Sequence, residues 1–222
     1  MKPTSNDIIS IVKQQGVIPL FYHDDANESI AIVDALYNAG IRIVEYTNRG
    51  SKAVENFKAL LSARKTKWPE LFLSVGTIKT TEAAQQFIDA GADFIICPGV
   101  IPEVAALAHN AGLVWVPGCM TSTEIIIAEQ HGAKLVKLFP GSLLGPSYVS
   151  AIKEIFPELM FMPTGGVDVN EENLSKWFNA GVVAVGLGSK VISKEFVNKK
   201  DYASIEALAR KALDIVQKIK HT

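Results

Sequence analysis

Apolar residues in this chain fall into short β-branched runs separated by longer stretches in which they recur at helical spacing. Five helical stretches close on a small residue or His followed by Gly, at Ala39-Gly40, Ala90-Gly91, Ala111-Gly112, His131-Gly132 and Ala180-Gly181. Glycine at such a point reads as the left-handed residue after a helix, where a Cβ would be strained. A strand-like run follows each one: Ile41–Glu45, Phe94–Cys97, Val114–Val116, Leu135–Lys137 and Val182–Val185. Gly16–Tyr22, Leu71–Ile78 and Leu159–Thr164 bring the predicted strands to eight. Helices are predicted over 27–39, 51–65, 80–89, 102–110, 122–130, 146–156, 170–179 and 202–219. Thr121-x-x-Glu124 and Asp168-x-x-Glu171 read as capping boxes at two helix starts.

Strands alternating with helices through short connections imply a parallel sheet. Eight units in 222 residues suit one (β/α)8 TIM barrel, a single domain over 1–222, with residues 1–15 as an extra helix over its N-terminal end. An open doubly wound sheet is the alternative. It loses ground because no GxGxxG follows the first strand and no P-loop is present. Along each barrel strand, residues alternate between the interior and the surrounding helices. Glu45 and Lys137 then both point inward near the C-terminal mouth, where catalytic groups of this architecture sit.

Composition narrows the partners. A 48% hydrophobic and 20% charged chain is ordinary for a globular protein with a large core. A net charge of −1 offers no attraction for nucleic acid or an anionic membrane. No run approaches the ~20 apolar residues of a membrane span, and residues 1–15 lack the apolar core of a signal peptide. Cys97 and Cys119 do not make a disulfide framework, so a reducing cytoplasm is the expected location. They are expected to be packed thiols, and Trp68, Trp115 and Trp177 packing residues. The four histidines show no metal-ligand spacing.

Lys137 carries the chemical interest. A free lysine is neutral in only about one molecule in 2,500 at pH 7. In a water-poor interior the ammonium form is disfavoured, and the neutral amine is the nucleophile. With Glu45 it forms a candidate nucleophile and acid/base pair; a structural ion pair, or a lysine snorkelling to solvent, is the competing reading. Arg49 can hold a substrate carboxylate through two hydrogen bonds, or can be a solvated loop residue. Pro163-Thr164-Gly165-Gly166-Val167 and Gly186-Leu187-Gly188-Ser189 end the last two strands, where glycine loops commonly bind phosphate. Pro98-Gly99 and Pro117-Gly118 end two others, and Ser74-Val75-Gly76-Thr77 a third.

Taken in order, these motifs resemble the 2-keto-3-deoxy-6-phosphogluconate (KDPG) aldolase family, which includes 4-hydroxy-2-oxoglutarate and phosphogalactonate aldolases. The resemblance runs from about residue 8 to residue 217. It implies a class I aldolase in which Lys137 forms the imine and Glu45 shuttles protons. Arg49 and Thr77 would contact the keto-acid end, Pro98 and Phe139 line the pocket, and Thr164 lie beside the pyruvate moiety. Gly165, Gly166, Gly188 and Ser189 would hold the phosphate. The resemblance further implies a phosphorylated 2-keto acid substrate, a homotrimer, no metal and no cofactor beyond the covalent imine. Two departures leave the substrate open: Ile18–His23 lacks an arginine that many relatives carry, and Ser74-Val75-Gly76-Thr77 stands where Gly-Ala-Gly-Thr is frequent. A catalytically silent phosphometabolite-binding barrel, and an isomerase or epimerase using Glu45, are the rival readings.

Overall fold

A computed structural model of the chain describes residues 4–221. Helix α1 (Ser5–Gln15) starts at Thr4, whose side chain and that of Asp7 cap one another's backbone, and ends at left-handed Gly16. Residues 1–3 of the predicted first helix and residue 222 lie outside the described residues. There follow β1 (Val17–Phe21), α2 (Ala26–Asn38), β2 (Ile43–Thr47), α3 (Ala53–Lys67), β3 (Phe72–Gly76), α4 (Thr81–Ala90), β4 (Phe94–Ile96), α5 (Pro102–Asn110) and β5 (Val114–Val116). The second half comprises β6 (Gly118–Cys119), α6 (Ser122–Gln130), β7 (Leu135–Leu138), α7 (Gly141–Ile155), β8 (Met160–Pro163), α8 (Glu171–Asn179), β9 (Val185–Leu187), α9 (Lys194–Asn198) and α10 (Tyr202–Lys220).

The fold is α/β around a curled parallel sheet of six strands in the order β5-β4-β3-β2-β1-β9. A second parallel sheet runs β6-β7-β8, and a parallel bridge between Thr164 and Gly186 links the end of β8 to β9. Pro117 interrupts the run from β5 to β6; its carbonyl accepts from Lys137 N at 2.8 Å. Beyond it, Gly118 and Cys119 pair with Lys137 and Leu138. Glycine is required at 118 because an added Cβ would collide with the Pro98 backbone.

Two apolar clusters divide the strand residues by parity. Val44, Tyr46, Val136 and Leu138 belong to the large cluster packed with the helices. Ile18, Ile43, Phe94, Ile96, Leu135 and Met162 form the smaller inner one, with Ile8 and Val12 of α1. The second residue of every predicted helix-end pair, from Gly40 to Gly181, has a positive φ. None of the helices among the described residues is long and apolar enough to cross a membrane.

Three local expectations need correction. The box at Thr121 forms in full, but Asp168 does not cap α8. Asn170 does, accepting from Asn173 N, while the Asp168 carboxylate pairs with Lys190 at 2.7 Å. The strand at Val182–Val185 is shifted to Val185–Leu187, because register with β1 sets it: Val17, Ile18 and Pro19 stand opposite those three residues. Helix α7 begins at Gly141, before the predicted 146, and breaks at Gly145 (φ 73°, ψ 167°) ahead of Pro146.

Candidate active site

Residues on β2 and β7, in different sheets, meet in the interior. Lys137 Nζ donates to Glu45 Oε1 at 3.3 Å, and the two side chains are 6% and 0% exposed. Isolated burial of either charge would cost several kcal/mol, so the pair compensates a penalty that neither bears well alone. It leaves one acceptor over: Glu45 Oε2 is buried without a hydrogen-bond partner. A second orphan nearby in the fold is Thr164 Oγ1, on the bridge between β8 and β9. Buried polar groups are normally satisfied, so each orphan calls for an explanation; Trp115 Nε1, Tyr148 Oη and Trp177 Nε1 are three more, on residues not assigned to the site.

The backbone is built around these groups. Gly76, opposite Thr47 in the β2–β3 register, has no room for a Cβ, which would collide with Glu45 Oε1. Thr77 follows at φ 61°, a left-handed conformation that is an outlier for a β-branched residue. Such strain clusters at functional sites. Gly186 leaves space for the Thr164 hydroxyl, which a Cβ there would strike. Hydroxyls on the inner parity tie neighbouring strands, with Ser74 Oγ donating to Val44 O at 3.0 Å and Thr47 Oγ1 to Phe21 O at 3.2 Å.

Phe139 is 37% exposed at the mouth, and Lys137 Nζ lies 5.6 Å from its ring centroid. Gly165 and Gly166 are exposed with φ of 87° and 73°, and a Cβ on Gly166 would sit 2.5 Å from Ser142 Cα at the start of α7. Gly141 N donates to Thr164 O at 2.8 Å, tying this turn to the end of β8. Pro98 is half-buried, its backbone against Gly118.

Arg49, Gly188 and Ser189 line one cavity of about 360 Å3 at the ends of β1 and β9. Its wall is continued by Leu20, which stands opposite Glu45 in the β1–β2 register. Gly165 and Gly166 are not among the residues lining it. Tyr22, His23, Lys194 and Asn198 also line it, and sequence patterns did not select them. His23 carried a faint signal, directly after an apolar strand; Lys194 carried none, since α9 itself was not predicted.

The two thiols are buried and unpaired. Burial pushes Cys97 up to about 11 and Cys119 up to about 12. Thiols held so far above neutrality are poor nucleophiles, in keeping with a packing role.

A family model described as "Aldolase: KDPG and KHG aldolase" matches residues 8–208. A 2-dehydro-3-deoxy-phosphogluconate aldolase of Treponema pallidum is 32% identical over 94% of this chain and 97% of its own length. A 2-dehydro-3-deoxy-6-phosphogalactonate aldolase of Escherichia coli is 32% identical over 73% and 78%. Among solved structures, a 4-hydroxy-2-oxoglutarate/2-dehydro-3-deoxyphosphogluconate aldolase from TTHB1 aligns with a TM-score of 0.81 and 30% identity, covering 95% of this chain and 98% of that one. With the match spanning nearly the whole chain and a lysine–glutamate pair buried between its sheets, the protein belongs to the KDPG and KHG aldolase family.

Proposed function

We propose that the protein is a class I aldolase that cleaves 2-keto-3-deoxy-6-phosphogluconate to pyruvate and D-glyceraldehyde 3-phosphate. The observation that carries this reading is the buried Lys137 amine 3.3 Å from Glu45, whose second oxygen has no partner. The reacting frame is one closed (β/α)8 barrel over the whole chain, with the run through Pro117 and the Thr164–Gly186 bridge as its two seams.

Cleavage of a bond beside a ketone requires a place for the electron pair. Lys137 Nζ passes a proton to Glu45 and, as the free amine, attacks C2 of the keto acid to give a carbinolamine. Glu45 delivers a proton to the departing hydroxyl, water leaves, and a protonated imine forms. The Glu45 carboxylate then accepts the C4 hydroxyl proton while the C3–C4 electrons flow into the imine. The aldehyde departs, and the enamine left on Lys137 is protonated at C3 and hydrolysed to pyruvate. The imine is the electron sink, so the route calls on no metal or cofactor.

Arg49 and Thr77 orient the carboxylate, Pro98, Phe139 and Thr164 enclose the pyruvyl part, and Gly165, Gly166, Gly188 and Ser189 receive the phosphate. Holding both ends fixes the reacting bond against the lysine. A homotrimer working in a reducing cytoplasm completes the proposal. Exposed Leu143 and Ile155 on α7 supply apolar surface for assembly, which light scattering of the eluted protein tests.

Incubation with pyruvate and borohydride, followed by peptide mass analysis, tests the chemistry: the adduct is expected on Lys137, and none under conditions that label a known class I aldolase overturns it. The phosphogalactonate relative matches with the same identity as the phosphogluconate one. The C4 epimer is therefore the second substrate reading. Relative turnover of the two epimers and 4-hydroxy-2-oxoglutarate decides among them.

A further inference from the structure

The cavity at the ends of β1 and β9 has a charge pattern of its own. Arg49, His23 and Lys194 line it together with the polar Ser189, Asn198 and Tyr22, and no carboxylate is among its lining residues. Four lysines fall between residues 190 and 200. Lys190 pairs with Asp168 at 2.7 Å, Lys199 with Glu195 at 2.8 Å and Lys200 with Glu28 at 2.9 Å. Lys194 is the one of the four that lines the cavity, and it has no carboxylate partner among the described residues. Arg49 likewise has none. With Arg49 committed to the substrate carboxylate, Lys194 is the lining cation left for a second anion, and a positive charge without a carboxylate partner draws one.

The placement suits the far end of a substrate held at Lys137. Leu20 borders the cavity and stands beside Glu45 in the register, while Gly188 and Ser189 open the loop that leads to α9. An added Cβ at Gly188 would lie 3.7 Å from Leu20 O, so this loop runs against the end of β1. A substrate anchored through C2 to Lys137 and extending past Leu20 would bring its distal anion to a wall that includes Lys194.

We propose that Lys194 is a specificity-determining residue that pairs with the terminal phosphate of the substrate and sets the preference for phosphorylated over unphosphorylated 2-keto-3-deoxy acids. This rests on the aldolase reading above. The lysine takes no part in bond breaking, so its contribution is to binding.

The test compares wild type with Lys194→Ala, Lys194→Arg and, as a surface-charge control, Lys211→Ala on 2-keto-3-deoxy-6-phosphogluconate and on its unphosphorylated counterpart. Lys194→Ala is expected to lose roughly tenfold or more in kcat/KM on the phosphorylated compound, mainly through KM, the scale of one hydrogen bond to a charged group. Lys194→Arg is expected to recover most of it, and both Lys194→Ala on the unphosphorylated compound and Lys211→Ala on either to stay within about twofold of wild type. Equal losses on both compounds, or no loss on the phosphorylated one, overturn the assignment. Pyruvate–borohydride labelling of Lys137 separates the two levels. Normal labelling in wild type and Lys194→Ala with an unchanged KM defeats the Lys194 role alone, whereas no labelling in wild type defeats the aldolase reading and this proposal with it.

Discussion

At Gly76 the missing side chain matters as much as any present one. A methyl group there would occupy the position of Glu45 Oε1, and Glu45 is itself fully buried with nowhere to retreat. Gly76→Ala is therefore expected to displace the carboxylate from Lys137 and to reduce kcat by about a hundredfold, the usual cost of an ångström-scale misplacement. Glu45→Gln keeps the volume but removes the proton acceptor, and a loss of roughly 10²–10⁴ in kcat is expected. Lys137→Ala is expected to abolish both cleavage and pyruvate labelling; full activity in that variant would rule out the imine route. The Lys137–Glu45 encounter was legible in sequence because a period of two is a local property, needing only each strand's own apolar pattern to orient its residues. Thr77's left-handed backbone and Lys194's place in the cavity were not legible, because both depend on the path of a loop between strands, which no periodicity encodes.

At the scale of elements, helix α1 closes the inner cluster from below, burying Ile8 and Val12 against Ile18 and Ile43. Ile8→Ala is expected to lower unfolding free energy by about 2–5 kcal/mol in urea titration, with kcat unaltered because the Lys137–Glu45 pair lies toward the other end of the strands. Capping gives a finer contrast. Thr121→Ala breaks a complete box and Asn170→Ala removes the true cap of α8, each at about 1 kcal/mol. Asp168→Ala loses only an exposed ion pair with Lys190, and a change within about 0.5 kcal/mol is expected. Sequence pattern located the five Gly-ended helices well, since a left-handed terminus leaves a nearly obligatory residue. It placed α8 to within a residue but misjudged its cap, where Asp168 and Asn170 are both acceptable and only the chain's exit from β8 chooses between them. It missed α9 because five residues hold too little apolar periodicity to register.

For the whole molecule, pH tests whether burial of the thiols is as complete as the packing implies. Burial raises Cys97 from 9.0 to about 11 and Cys119 from 9.0 to about 12. Above pH 9 the unfolded chain ionises these groups and the folded chain does not, so their contribution is fully present below that point and is lost as pH climbs toward the folded values. Lys220 acts with the opposite sign. Burial lowers it from 10.5 to about 8, so the cost of enclosing its charge is relieved between pH 8 and 10.5 and stability rises there. That lysine is partly exposed, and solvent screening shrinks its weight. Both thiols are fully enclosed. The thiols are expected to win, giving a net fall in the unfolding free energy from urea titration between pH 9 and 11, on the order of a few kcal/mol. In Cys97→Ala/Cys119→Ala the alkaline fall should flatten, whatever the cavities cost at neutral pH, and Lys220→Met in that background should flatten the residual rise. An alkaline slope identical in wild type and the double variant would mean that the thiols already reach water in the native state. In that case thiol reagents would label them without unfolding, which the enclosed geometry forbids.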